Sequence, residues 1–141
     1  MKTAIVYWSG TGNTQEMANY VEKGAKAAGA EVSIFTAGEF DAASMAEFDT
    51  IAFGCPSMGN EELEECEFAP MFEACEPKLS GKKIALFGSY GWGGGEWMRS
   101  WEERCQSQGA MLVADSVIAN GAPDAVAQAL CEEMGAALAK N

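Results

Sequence analysis

Apolar and polar positions along this chain alternate between two kinds of run. Thr3-Ala4-Ile5-Val6-Tyr7-Trp8 is continuous and β-rich, as expected of a strand buried on both faces. From Gln15 to Ala28, Met17, Val21, Ala25 and Ala28 recur at helical spacing, so one side of a helix is apolar. Gly29 supplies a stop, and Glu31-Val32-Ser33-Ile34-Phe35-Thr36 alternates as a second strand. Residues 37–49 carry turn formers with scattered Phe40, Met45 and Phe48, an irregular or briefly helical connection.

Thr50-Ile51-Ala52-Phe53-Gly54 is a third strand, and the turn Ser80-Gly81-Lys82-Lys83 precedes a fourth, Ile84-Ala85-Leu86-Phe87-Gly88. Trp97, Trp101 and Cys105, four apart, mark a helix that Gly109 closes. Met111 to Ala119 forms the last strand, interrupted at Asp115-Ser116. After Ala122-Pro123-Asp124 comes a final helix with Val126, Leu130, Met134 and Leu138 as its stripe. Strand and helix alternate with crossover-length connections, which predicts a doubly wound, five-stranded parallel α/β sheet with helices on both faces. Ligands are then expected at the carboxyl ends of the strands. That rule brings Ser9–Thr14, Cys55–Glu62 and Ser89–Gly95 to one rim.

The first of these loops, Ser9-Gly10-Thr11-Gly12-Asn13-Thr14, offers two glycines, three hydroxyls and a carboxamide before a helix. An N-cap and turn is one reading of such a cluster; an anion site at a helix N-terminus is the other. No Lys or Arg lies between Lys2 and Lys23, so it is not an ATPase or GTPase loop. Gln15 stands where a dinucleotide fingerprint needs its third glycine. In the other two loops, Met58 and Trp92 either fold onto the core or form two walls of a slot for a flat ring.

Charge and composition narrow the chemistry. The 141 residues predict one domain spanning 1–141, and there is no signal-like or membrane-length apolar stretch, so a cytoplasmic protein is expected. A net charge of −12, from 21 acidic and 9 basic residues, excludes nucleic acid and anionic membranes as partners and favours basic protein surfaces. The absence of histidine removes the usual general base and metal ligand, so no metal site is expected. Five cysteines without a C-x-x-C argue against a disulfide framework or a cluster. They read as packing residues, with Cys55 at a loop edge the one candidate reactive thiol.

The chain resembles the flavodoxins, and within them the short-chain clostridial type. The residues that carry the resemblance are Tyr7-Trp8-Ser9-Gly10-Thr11-Gly12-Asn13-Thr14, then Met58-Gly59 with Glu61, then Ser89-Tyr90-Gly91-Trp92-Gly93, followed by Trp97-Met98-Arg99 and Trp101-Glu102-Glu103-Arg104. The resemblance covers essentially the full length, lacks the inserted block of the long-chain group, and implies the strand order 2-1-3-4-5.

It further implies one noncovalent FMN, with its phosphate in Ser9–Thr14 and its ring between Met58 and Trp92. Ser57 and Asn60 would flank the ring, Gly59 would turn its carbonyl to flavin N5–H on reduction, and Glu61 would meet N3–H. Ser89, Tyr90, Gly91 and Gly93 would line the pyrimidine edge. Asn60 departs from the acidic or small residue of several relatives, but it tolerates positive φ, so the turn survives.

A net hydrogen bond of about 1–1.5 kcal/mol corresponds to roughly 45–65 mV for a one-electron couple, so one carbonyl at N5 separates the two reduction steps. Glu61, Glu62, Glu64, Glu65, Glu67, Glu73 and Glu76 put seven acids and no base beside the ring, or form a solvated helical face, and either way disfavour an anionic reduced flavin. The resemblance therefore implies a monomeric, low-potential electron carrier, not an enzyme, serving redox proteins with basic docking surfaces in place of ferredoxin. The alternative is a small FMN-dependent NAD(P)H:quinone or flavin reductase, which needs loop length for a second pocket. A receiver-type signalling module would need an acidic cluster and a phosphorylatable Asp where Ser9-Gly10 and Gly54-Cys55 stand.

Overall fold

Strand β1 (Lys2–Tyr7) leads into helix α1 (Asn13–Ala27), and β2 (Glu31–Thr36) follows, in a computed structural model that covers Met1–Asn141. Two 3₁₀ turns, Ala37–Glu39 and Ala42–Glu47, lead to β3 (Thr50–Gly54), so the connection expected to be briefly helical is so. Then come α2 (Phe68–Cys75), β4 (Lys83–Tyr90), α3 (Glu96–Ser107), β5 (Met111–Leu112), β6 (Val117–Asn120) and α4 (Ala125–Ala139). Every strand pair is parallel, and the order is β2-β1-β3-β4-β5, with β6 also paired to β4. The order is the one expected, but the fifth place is shared by two short strands. Met111 to Ala119 is thus not one strand: β5 covers the start of β4, β6 covers its end, and residues 113–116 leave the sheet between them.

The pleat sends alternate residues to two cores. Ala4, Val6, Ile51, Phe53, Ile84 and Leu86 face α2 and α3, where Phe68, Phe72, Trp97 and Trp101 bury their rings. Ile5, Ala52, Ala85 and Phe87 face α1 and α4, against Met17, Val21, Cys131, Met134 and Leu138. Trp97 and Trp101 are core residues, as their helical spacing predicts.

Helices α1 and α4 touch backbone to backbone. A Cβ on Gly24 would lie 2.0 Å from the Glu132 carbonyl oxygen, and one on Gly135 would lie 2.1 Å from that of Val21. This contact turns α4 so that Ala127, Cys131 and Gly135 face inward with Met134 and Leu138. The expected stripe is therefore corrected: Val126 is 67% exposed and Leu130 44%, because close approach selects small side chains for that face. Helix α1 also begins two residues earlier than the expected start at Gln15, which puts Asn13 and Thr14 in its first turn.

Candidate functional site

Three loops leave the carboxyl edges of β1, β3 and β4 and enclose a groove of about 270 Å³. From the first loop Ser9, Gly10, Thr11, Asn13 and Thr14 line it, from the second Ser57 and Met58, and from the third Ser89, Tyr90 and Gly91. Ser9 organises the first loop, its Oγ accepting from the backbone N–H groups of Gly12 (3.1 Å) and Gln15 (3.3 Å). Gly12, at the start of α1, takes φ 99° and has no side chain to cap the helix, so the Ser9 bond to Gln15 is the one side-chain tie to its first-turn N–H groups. The helix therefore presents its positive dipole end to the groove, among hydroxyls and without any lysine or arginine. The buried Thr14 hydroxyl instead accepts from Ser89 N–H (3.4 Å), tying the first loop to the third.

The second loop is a closed turn: Met58 and Glu62 exchange backbone N–H···O bonds, both 2.8 Å. Within it Gly59 has φ 53° and Glu61 φ 56°, the latter the one non-glycine residue in the left-handed region. Glu61 Oε1 accepts from the backbone N–H of Glu96 (3.0 Å), capping α3. A Cβ on Gly93 would lie 2.7 Å from the same oxygen and push the carboxylate aside, and the φ of 86° there favours glycine in any case. Trp92 is 61% exposed and Met58 37%, so the alternative that these side chains fold onto the core does not hold.

Of the other residues expected at the site, Gly12 starts α1 beside the groove, while Gly59, Asn60, Glu61, Trp92 and Gly93 do not line it. Gly59 borders a hollow on the far side of its turn, and Glu61 borders an open groove of about 420 Å³ with Glu62, Glu65, Glu73 and Arg104. Trp8, Pro56 and Gly121 also line the main groove, although none of them was expected to contact a ligand. Gly121 follows β6, so the rule that ligands sit at strand carboxyl ends points to it.

The acidic segment also differs from expectation. Glu64 is 6% exposed, and its carboxylate accepts from the N–H groups of Cys66, Glu67 and Phe68, each 2.8 Å, at the start of α2. Burial opposes its charge, but the Phe68, Glu67 and Cys66 N–H groups outweigh that and hold its pKa below the ordinary 4.5. The segment itself holds no base, but Glu76 pairs through both carboxylate oxygens with Arg104 of α3, so one of its acids is neutralised from another element. Glu67 accepts from the Trp8 indole N–H (3.3 Å). The seven acids are therefore not one solvated face.

Cys55, Cys75, Cys105 and Cys131 are buried as expected, while Cys66 is exposed. Burial drives the Cys55 thiol up to about 12, so it is no reactive nucleophile. No group of His, Cys, Asp or Glu has a metal-binding arrangement, and no helix is long and apolar enough to cross a membrane.

A parallel sheet in the order 2-1-3-4-5, with neutral hydrogen-bond donors after its first strand and exposed apolar side chains on its next two loops, defines a flavodoxin-like domain. The donor set suits a phosphate, and Met58 and Trp92 suit a flat ring. The family model described as Flavodoxin matches residues 5–135. The chain is 48% identical over 136 residues to a flavodoxin of Megasphaera elsdenii, covering 96% of this chain and 97% of that one. It is 44% identical over 135 residues to a flavodoxin of Clostridium beijerinckii, with the same coverage. The solution structure of the two-electron reduced Megasphaera elsdenii flavodoxin superposes with a TM-score of 0.91 at 47% identity, covering 99% of both chains. The chain belongs to the flavodoxin family, whose members are FMN-bound electron carriers that serve redox enzymes.

Proposed function

We propose that this chain is a low-potential one-electron carrier, not an enzyme, whose FMN phosphate is held by Ser9–Thr14 and whose ring lies between Met58 and Trp92. The observation that carries this is the union, on one rim, of a cation-free donor loop at the mouth of α1 with two exposed apolar side chains. Bound FMN supplies chemistry no side chain here has, accepting electrons one at a time.

The protein's part is to bind, orient and bias. Ser9 preorganises the loop through Gly12 and Gln15, and the end of α1 favours a dianion without a counter-cation. Gly59 would offer its backbone carbonyl to flavin N5–H, and the left-handed φ at this position is available to glycine without strain. Glu61, whose carboxylate takes the Glu96 N–H, would meet N3–H; Ser57, Ser89, Tyr90 and Gly91 of the groove would surround the ring edge with Asn60 and Gly93, and Trp8, Pro56 and Gly121 would lie beside them. Exposed Glu62, Glu65 and Glu67 lower the second potential by like-charge repulsion and steer basic faces of redox proteins to this edge of a cytoplasmic monomer formed from residues 1–141. The reductase alternative is not favoured by the family.

Titrating the flavin-free protein with FMN and with riboflavin tests the site. FMN should bind more tightly, and equal dissociation constants would overturn the phosphate assignment. Electron exchange with a basic redox protein should slow as salt rises from tens of millimolar to about 0.5 M, since the Debye length shrinks to a few ångströms. A rate independent of salt would remove the acidic rim as docking face.

A further inference from the structure

The turn proposed to carry the redox-linked movement stands on two anchored feet. On one side, Cys55 is fixed by three elements. Its N–H donates to Phe87 O (3.1 Å) in β4, its carbonyl accepts from the Trp97 indole N–H (3.2 Å) in α3, and the residue itself directly follows β3. On the other side, Glu64 is built into the start of α2: its carboxylate takes three backbone N–H groups, and its carbonyl takes that of Ala69 (2.8 Å).

The feet are joined by one buried bond, in which Glu64 N–H donates to Cys55 Sγ (3.3 Å). The thiol in turn faces the Pro56 carbonyl as a donor (3.5 Å), a double role that requires it to stay protonated. Above this bond comes the reciprocal Met58–Glu62 pair, and above that the tip, where Glu61 is tied to Glu96. Within Met58–Glu62 only Gly59 and Asn60 lack such a tie.

We propose that Cys55 and Glu64 are positioning residues that clamp the base of the Met58–Glu62 turn, so that its movement is confined to the Gly59–Asn60 peptide. The clamp rests on the reading that this turn responds to the flavin, and it adds residues that touch neither ring nor phosphate. Its effect is entropic. A turn with a loose base samples many arrangements, and fixing one of them against the flavin then requires more ordering.

The test compares the full-length protein with Cys55→Ala and with Cys55→Ser, which retains a donor and an acceptor. Amide hydrogen exchange of the flavin-free chain should be about fivefold faster at Met58 and Glu62 in Cys55→Ala, the scale of one net hydrogen bond, and unchanged at Ile84–Leu86 of β4. Cys55→Ser should restore the slow exchange. In the FMN-loaded proteins the first one-electron reduction should become about fivefold less favourable in Cys55→Ala, about 40 mV, and return in Cys55→Ser. Glu64→Gln, which gives up acceptor oxygens at the other foot, should move both readouts in the same direction.

Exchange at Met58 and Glu62 that stays at the parent rate would overturn the clamp. So would a loss of melting temperature in Cys55→Ala with the first potential unmoved, since that is packing alone. Failure of the parent chain to take up FMN would instead overturn the proposed function, and the flavin-free exchange comparison would still decide whether the base is clamped.

Discussion

Glu61 holds a left-handed backbone and at the same time caps α3 through the N–H of Glu96, 3.0 Å from its Oε1. The two facts pull in opposite directions energetically: a β-carbon in that region is disfavoured by about 1–2 kcal/mol, and a capping carboxylate returns about 0.5–2 kcal/mol. Glu61→Ala loses the cap and keeps the strain, so it should destabilise the flavin-free protein by about 1 kcal/mol. Glu61→Gly loses the cap and relieves the strain, so it should cost less. Urea unfolding of the two variants checks the order, and a glycine variant less stable than the alanine variant would contradict it.

Trp92 and Trp97 separate binding from folding. Trp92, largely in solvent, should on truncation to alanine leave the flavin-free stability within about 0.5 kcal/mol while weakening FMN by about 1–3 kcal/mol through lost stacking area. Trp97, buried and bonded to the Cys55 carbonyl, should lose about 3–5 kcal/mol of stability on the same change. Chemical denaturation together with FMN titration distinguishes the two.

Glu64 makes stability depend on acid. Its folded pKa is depressed below 4.5, so between that value and the folded one the unfolded chain binds more protons, and stability rises with pH. Its contribution is complete above 4.5 and is lost as pH falls through the folded pKa. Glu64→Gln should therefore be less stable than the parent near neutrality, with the gap closing as pH drops. Unfolding free energies from about pH 3 to 6 would show the convergence.

Gly24→Ala drives a β-carbon to within 2.0 Å of a main-chain oxygen on α4, which cannot rotate aside. The helices must separate, and destabilisation of about 1–3 kcal/mol or more is expected, measurable as a lower urea midpoint.

Gly59→Thr places a branched side chain at φ 53°. If the turned peptide serves the reduced flavin, the first one-electron potential should fall by tens of millivolts, on a scale of about 59 mV per 1.4 kcal/mol, while FMN binding in the oxidised protein changes little. Spectroelectrochemical titration giving the parent potential would remove Gly59 as the hinge.

The sheet was legible because strands buried on both faces leave uninterrupted apolar runs, as at Ile51–Phe53 and Ile84–Phe87, and the carboxyl-edge rule then brings the loops together. The stripe on α4 misled because hydrophobicity says nothing about size where backbones touch; Gly24 and Gly135, which set that distance, read in sequence as weak helix positions. The roles of Glu64 and Cys55 were hidden for a different reason. Glutamates in an acidic run look alike until the backbone N–H groups they meet are known, and those belong to a helix start that begins only at Phe68.

The close approach of Gly24 to Glu132 and of Gly135 to Val21 has a consequence in time as well as in space. The inner face of α1, the helix on which the proposed phosphate loop rests, is covered by a segment made more than a hundred residues later. Until α4 has been synthesised, the side of α1 that meets it at Val21, Gly24 and Ala25 has no cover, and the helix behind Ser9–Thr14 is held by the sheet alone. A growing chain can thus pair β1, β2, β3 and β4 before the helix behind the proposed phosphate loop has both of its neighbours, and the packing around that helix is complete only once α4 docks.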